Sequence, residues 1–175
     1  MADTPLLSPR PSTLDEEAFV ARYGDVYEHS PWIARQAHRQ GLSEDDDSPA
    51  ALAARLAAVF DAADVDAQLA VLRAHPDLAG KLAAAKRLTA DSTAEQASAG
   101  LDALTDAERD AFTKLNAAYT EKFGFPFIIA VRDHDKAGIL AAFQRRVEQD
   151  RDTEFAEACK QVERIALLRL KAILP

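Results

Sequence analysis

The chain is 175 residues long with a net charge of −8, which leaves room for one domain with a real core and argues against nucleic acid or an anionic membrane surface as the main partner. Alanine is abundant, β-branched residues are few and there are only 6 glycines, a composition that favours helices over sheet. No apolar run approaches a membrane span, the N-terminus lacks an apolar signal stretch, and the lone Cys159 cannot close an internal disulfide, so a reducing, cytoplasmic setting is expected.

Hydrophobic periodicity predicts an all-α, single-domain compact bundle of about eight helices over residues 13–175, preceded by a flexible arm at 1–12. Thr13 is placed to cap a short helix with Leu14, Ala18 and Phe19 inward and Gly24 near its end. Ser30-Pro31 starts the next helix, which runs toward Gly41 with Trp32 as a core anchor. Glu28 and His29, just ahead, either line a pocket or belong to a solvated loop. Ser43 to Ser48 reads as an acidic linker. Pro49 then opens an alanine-rich helix with Leu52, Leu56, Val59 and Phe60 on one face, and another helix leads to His75.

From His75 to Gly100 the chain gathers groups able to do chemistry. His75 precedes Pro76, which pushes the histidine backbone out of the α region and places its side chain at a predicted helix entrance. Helix entrances suit anionic ligands, and imidazole exchanges protons near neutral pH. A helix of two or three turns, holding Leu78 and Leu82 with Lys81 beside them, is expected after Pro76. Ser92-x-x-Glu95 then opens a short helix that stops at Gly100. The same spacing is a capping box, in which Glu95 only satisfies the backbone of Ser92. Thr13-x-x-Glu16 and Thr105-x-x-Glu108 share it, so spacing leaves both uses of Glu95 open.

Thr105 caps a longer helix with Phe112, Leu115, Tyr119 and Phe123 at helical spacing before Gly124. Phe125 to Val131 is β-like, but Pro126 forbids a central strand and no partner strand exists. A buried extended segment is expected, either a plain connector or one whose backbone groups meet a ligand. In Asp133-His134-Asp135, Asp135 is read as a helix cap; three adjacent residues rarely converge on one ion, so no metal site is expected. The following helix buries Ile139, Leu140, Phe143 and Val147, and Asp152 or Thr153 caps the last one. On that helix Arg169 shares the apolar stripe of Phe155, Cys159, Val162, Ala166 and Ile173. A guanidinium there needs either a buried carboxylate or a ligand anion.

Taken in order, Tyr27-Glu28-His29-Ser30-Pro31-Trp32, His75-Pro76-Asp77-Leu78, Ser92-x-x-Glu95-Gln96, Leu115-Asn116-x-x-Tyr119, Lys122-Phe123-Gly124-Phe125-Pro126-Phe127-Ile128 and Glu163-Arg164-Ile165-Ala166-x-x-Arg169-Leu170 resemble the 2-oxo-4-hydroxy-4-carboxy-5-ureidoimidazoline (OHCU) decarboxylases of uric acid degradation. The resemblance implies a homodimeric, cofactor-free carboxy-lyase that turns this ureido-imidazoline substrate into (S)-allantoin and carbon dioxide. It implies His75 as proton donor and Glu95 as its partner at the substrate, with Pro76, Ser92 and Gln96 lining the site. The segment Phe127, Ile128, Ile129, Ala130 and Val131 would present backbone groups to the substrate amides, and Arg169 would hold an anionic or carbonyl group. A non-catalytic helical binding domain, or a hydrolase or racemase acting on a related ureide, are the alternatives.

Overall fold

Side-chain caps mark the starts of seven of the eight helices among the described residues. The computed structural model describes residues 4–80, 83 and 86–175, and those residues hold eight α-helices and no strand. They are α1 (Glu16–Tyr23), α2 (Trp32–Arg39), α3 (Pro49–Asp61), α4 (Val65–Ala74), α5 (Ala90–Ser98), α6 (Asp106–Phe123), α7 (Lys136–Arg146) and α8 (Arg151–Ala172). Asp15, Ser48, Asp64, Thr89, Thr105, Asp135 and Asp150 each accept a backbone N–H from the first turn of the helix they precede. Asp135 therefore caps α7, as its sequence position suggested. Two expected caps shift. Asp15, as good an N-cap as threonine, takes the place of Thr13, whose hydroxyl donates to Arg10 O instead. Asp150 takes the place of Asp152 or Thr153 and binds both the N–H and the hydroxyl of Thr153.

The chain divides into two compact units, one formed by residues up to Ala74 together with Glu163–Pro175, the other by His75–Val162. In the first, α1, α2 and α3 pack successively on one another around Phe19, Tyr23, Ile33, Leu52, Leu56 and Phe60. Trp32, expected in the core, is 38% exposed, because α2 turns Ile33, Ala34 and Ala37 inward. Residues ahead of α1 make specific contacts. Leu7 is buried and its N–H donates to Asp47 O at 2.8 Å, while Ser12 donates N–H and hydroxyl to the two carboxylate oxygens of Asp47, each at 2.9 Å. The acidic stretch read as a linker is thus a packed turn. Its Asp46 and Asp47 are buried, and Asp46 accepts from Ser43 N–H at 2.9 Å and from Arg55 Nε at 3.3 Å. Burial alone would raise the Asp46 carboxyl, but the Ser43 and Arg55 hydrogen bonds outweigh it and hold it below its ordinary value.

The second unit has an aromatic core. Tyr119 and Phe123 of α6, Phe125 and Phe127 beyond it, and Phe143 of α7 are all buried, with the Phe127 and Phe143 rings stacked at 3.9 Å. Gly124, at φ 78°, ends α6 in the left-handed conformation. The chain then runs extended and buried through Ala130, as anticipated, and its polar groups are met by side chains. Arg146 Nη1 donates to Ile128 O at 2.7 Å and Gln161 Oε1 accepts from Ala130 N–H at 2.9 Å. Arg146 also lies over the Phe127 ring and pairs with Glu154, whose Oε1 accepts from Arg146 Nε at 2.8 Å and from the Tyr119 hydroxyl. Burial, then the Glu154 hydrogen bond, holds that hydroxyl far above the usual phenol range.

Candidate functional site

Helix α5 carries a polar inward face. Its cap is Thr89, so Ser92 donates its backbone N–H to Thr89 Oγ1 at 3.2 Å and stands inside the first turn. Glu95 is therefore not the second half of a capping box on Ser92. Ser92, Glu95, Gln96 and Ala99 fall at i, i+3, i+4 and i+7, one side of a helix, and all four are buried while Asp91, Thr93, Ala94, Ala97 and Ser98 are exposed. Ser92, Glu95 and Gln96 are 3%, 8% and 5% exposed. A buried face of hydroxyl, carboxylate and amide is unfavourable for packing and needs partners or a purpose.

One of those partners is the loop after His75. Gln96 Oε1 accepts from Ala79 N–H at 2.9 Å and Gln96 Nε2 donates to Asp77 O at 3.3 Å. His75 is 7% exposed and Pro76 is half-buried. Residues 76–80 form turns, not the expected helix, since Ala79 at φ 51° cannot continue a right-handed one. The further part of that expected helix, at Lys81 and Leu82, lies outside the described residues. Helix α5 also packs on the short turn Val131–Asp133 at the end of the extended segment. The second unit therefore draws together three expected pieces: the His75 loop, the inward face of α5 and the segment from Phe127 to Val131. A cavity of ≈ 390 Å³ adjoins Gln96 and Ala79, and its lining includes Leu88, Leu101, Leu104, Lys86 and Arg109. That volume suits a small molecule, but its lining does not include His75, Ser92 or Glu95.

Arg169 belongs to the first unit. It is buried, with Nη2 at 3.3 Å from Glu28 Oε2 and Nη1 at 3.4 Å from Asp25 O. Of the two partners left open by the sequence, the carboxylate is present, and it comes from the Tyr27-Glu28-His29 motif. His29 is exposed, at φ 55°.

In the second unit, three further buried polar residues had no role in the sequence reading: Asn116, Arg146 and Glu154. The rule that singled out Arg169 would have found the first two. Asn116 lies four residues after Phe112 and three before Tyr119, and Arg146 lies three after Phe143, so each occupies an apolar stripe.

A helical protein that buries a carboxylate, a hydroxyl and an amide beside a held histidine loop has the equipment of an enzyme acting on a small polar molecule. Sequence narrows the class. The OHCU decarboxylase family model matches residues 12–171, and the chain belongs to the OHCU decarboxylase family. The 2-oxo-4-hydroxy-4-carboxy-5-ureidoimidazoline decarboxylase of Haloferax volcanii is 42% identical over 157 residues, covering 90% of this chain and 89% of that one. The protein of the same name from Halalkalicoccus jeotgali is 43% identical over 160 residues, covering 91% and 86%. Among solved structures, a crystal structure of (S)-allantoin synthase superposes with a TM-score of 0.75 at 32% identity, over 94% of this chain and 52% of that one.

Proposed function

We propose that this protein decarboxylates 2-oxo-4-hydroxy-4-carboxy-5-ureidoimidazoline to (S)-allantoin and carbon dioxide, with His75 giving the proton that sets the product configuration. Family membership supports the reaction, and the observation that carries the site is the buried Ser92–Glu95–Gln96 face tied to the His75 loop. In the reaction the bond from the ring carbon to the carboxylate breaks and its electron pair passes into the neighbouring C=N. The ring nitrogen takes up a proton, the ureido-bearing carbon takes up another on one face, and the hydroxyl proton leaves as that oxygen becomes a carbonyl. No group needs to enter or leave except carbon dioxide and protons. The protein supplies orientation, electrostatic stabilisation and one directed proton.

In this reading Glu95 accepts from a substrate N–H or hydroxyl, Pro76, Ser92 and Gln96 bound the site, and the Phe127–Val131 backbone meets the amide edges. Two neighbouring backbone groups there, Ile128 O and Ala130 N–H, already have Arg146 and Gln161 as partners, which leaves the substrate contacts to the rest of the segment. Arg169 is assigned an anionic or carbonyl group of the substrate, a role to be separated from its pairing with Glu28. The protein is further proposed to act as a cytoplasmic homodimer, which sedimentation equilibrium and cell fractionation test. The net charge of −8 is no help to an anionic substrate, so capture must rest on local donors.

The experiment is circular dichroism of freshly oxidised urate, passed through urate oxidase and hydroxyisourate hydrolase, with and without this protein. Rapid growth of the (S)-allantoin signal is expected, and His75→Asn should abolish that acceleration with melting unchanged. A folded protein that leaves the slow racemic course untouched would refute the reading.

A further inference from the structure

Residues 76–80 belong to neither a helix nor a strand. Two side-chain amides hold their backbone. Asn116 Nδ2 of α6 donates to Leu78 O at 2.9 Å, fully buried. Gln96 of α5 binds the residues on either side, Asp77 through its carbonyl and Ala79 through its N–H. Two consecutive peptide groups, Asp77–Leu78 and Leu78–Ala79, are thus held by two carboxamides from two helices. Ala79 is held at φ 51°, a conformation that residues with a Cβ seldom adopt and that persists only where surroundings impose it. Gly80 closes the turn so tightly that a Cβ there would lie 2.6 Å from Asp77 Cβ.

The hydrogen bond that Asn116 makes goes to this loop, through Nδ2, while its buried Oδ1 has no hydrogen-bond partner among the described residues. Asn116 occupies the buried stripe of α6 between Phe112 and Tyr119, where an apolar side chain of similar size would pack without desolvating an amide. Leu78, the residue whose carbonyl it binds, lies three positions beyond His75 with the stiff Pro76 between.

We propose that Asn116 is a positioning residue for proton delivery. Through Leu78 O, and together with Gln96, it fixes the His75-Pro76 loop and hence the face from which His75 protonates the decarboxylated intermediate. The inference rests on the decarboxylase reading of His75, and in it Asn116 acts through Leu78 O, not on the substrate.

The test is Asn116→Asp, which keeps the shape but sets a carboxylate oxygen against the Leu78 carbonyl. Steady-state decarboxylation and the enantiomeric composition of the allantoin formed are both measured. In a variant with the wild-type far-ultraviolet spectrum, kcat should fall by about tenfold or more with KM within about threefold, the signature of misplaced rather than missing chemistry. The (S) excess should fall too, as solvent protonation competes. A purely packing role would lower melting but leave kcat per folded molecule and (S) excess at wild-type values, and that result overturns the proposal. Should Asn116→Asp fail to fold, Gly80→Ala decides. It disturbs the same loop by displacing Asp77, and the same loss of kcat and (S) excess is expected; wild-type values for both overturn the proposal. A wild-type protein without turnover would remove the decarboxylase reading and this proposal with it, whereas an active wild type with unchanged variants removes the proposal alone.

Discussion

Helices α5 and α6 offer the same four-residue pattern near their starts and use it in opposite ways. At α6, Thr105 N–H donates to Glu108 Oε2 at 3.0 Å and Glu108 N–H donates to Thr105 Oγ1 at 3.2 Å, a closed capping box. Glu108 then leans on Lys136 at 2.9 Å. At α5 the cap is Thr89, three residues upstream, so Ser92 and Glu95 are carried into the helix and onto its buried side. Nearly one extra turn of helix converts a surface device into an inward acid. What a pattern of this kind means is set by where the helix begins, and that depends on a neighbouring residue outside the pattern.

The sharpest way to break the contrast is Glu95→Gln. Loss of kcat by about 100-fold or more is expected, with thermal melting close to wild type, since the amide keeps the shape of the carboxylate. Near-normal turnover with lower melting would put Glu95 on the structural side with Glu108. The next largest effect belongs to a buried polar group that serves the fold. Arg146→Met leaves Glu154 buried without its counter-charge, and denaturant titration should show a loss of about 3–5 kcal/mol. Arg169→Lys then separates the two uses within one residue. Keeping the charge but losing the fork should raise KM about tenfold if the guanidinium serves the substrate, whereas a drop in melting with unchanged KM would assign it to Glu28 alone. The smallest effect lies at the capping box. The Lys136 hydrogen bond, then the Thr105 backbone N–H, lowers the Glu108 carboxyl below its ordinary 4.5. A depressed carboxyl lends stability that is fully present above pH 4.5 and is lost as the pH falls through the folded value. Glu108→Gln should flatten that acid limb slightly, with kcat at neutral pH unchanged.

Much of the fold was legible because helix boundaries are marked by short-range chemistry. Ser48-Pro49, Thr105 and Asp135 start helices where their type and position say they should, and Leu52, Leu56, Val59 and Phe60 face inward at the expected spacing. The buried extended segment could be read from Pro126 and the absence of a partner strand. Less legible were features fixed by tertiary partners. Asp46 and Asp47 look like solvated linker until Ser12, Ser43 and Arg55 are brought to them. The turns after Pro76 look helical until Gln96 and Asn116 take up their backbone groups. For the candidate site, the sequence could name His75, Glu95 and Arg169 as chemically suggestive. It could not choose between capping box and inward face for Glu95, because that choice rests on Thr89, nor identify Glu28 as the carboxylate beside Arg169.

The bond between Ser12 and Asp47 bears on where this protein can be cut. Asp47 is buried, and its two carboxylate oxygens take their hydrogen bonds from the N–H and hydroxyl of Ser12. A truncated chain begun at Thr13, the first residue that the helical pattern recommends, would strand a carboxylate in the interior facing no donor, a loss that falls on the folded state and not on the unfolded one. A fragment that keeps this pairing is therefore longer than its helices: it begins no later than Ser12.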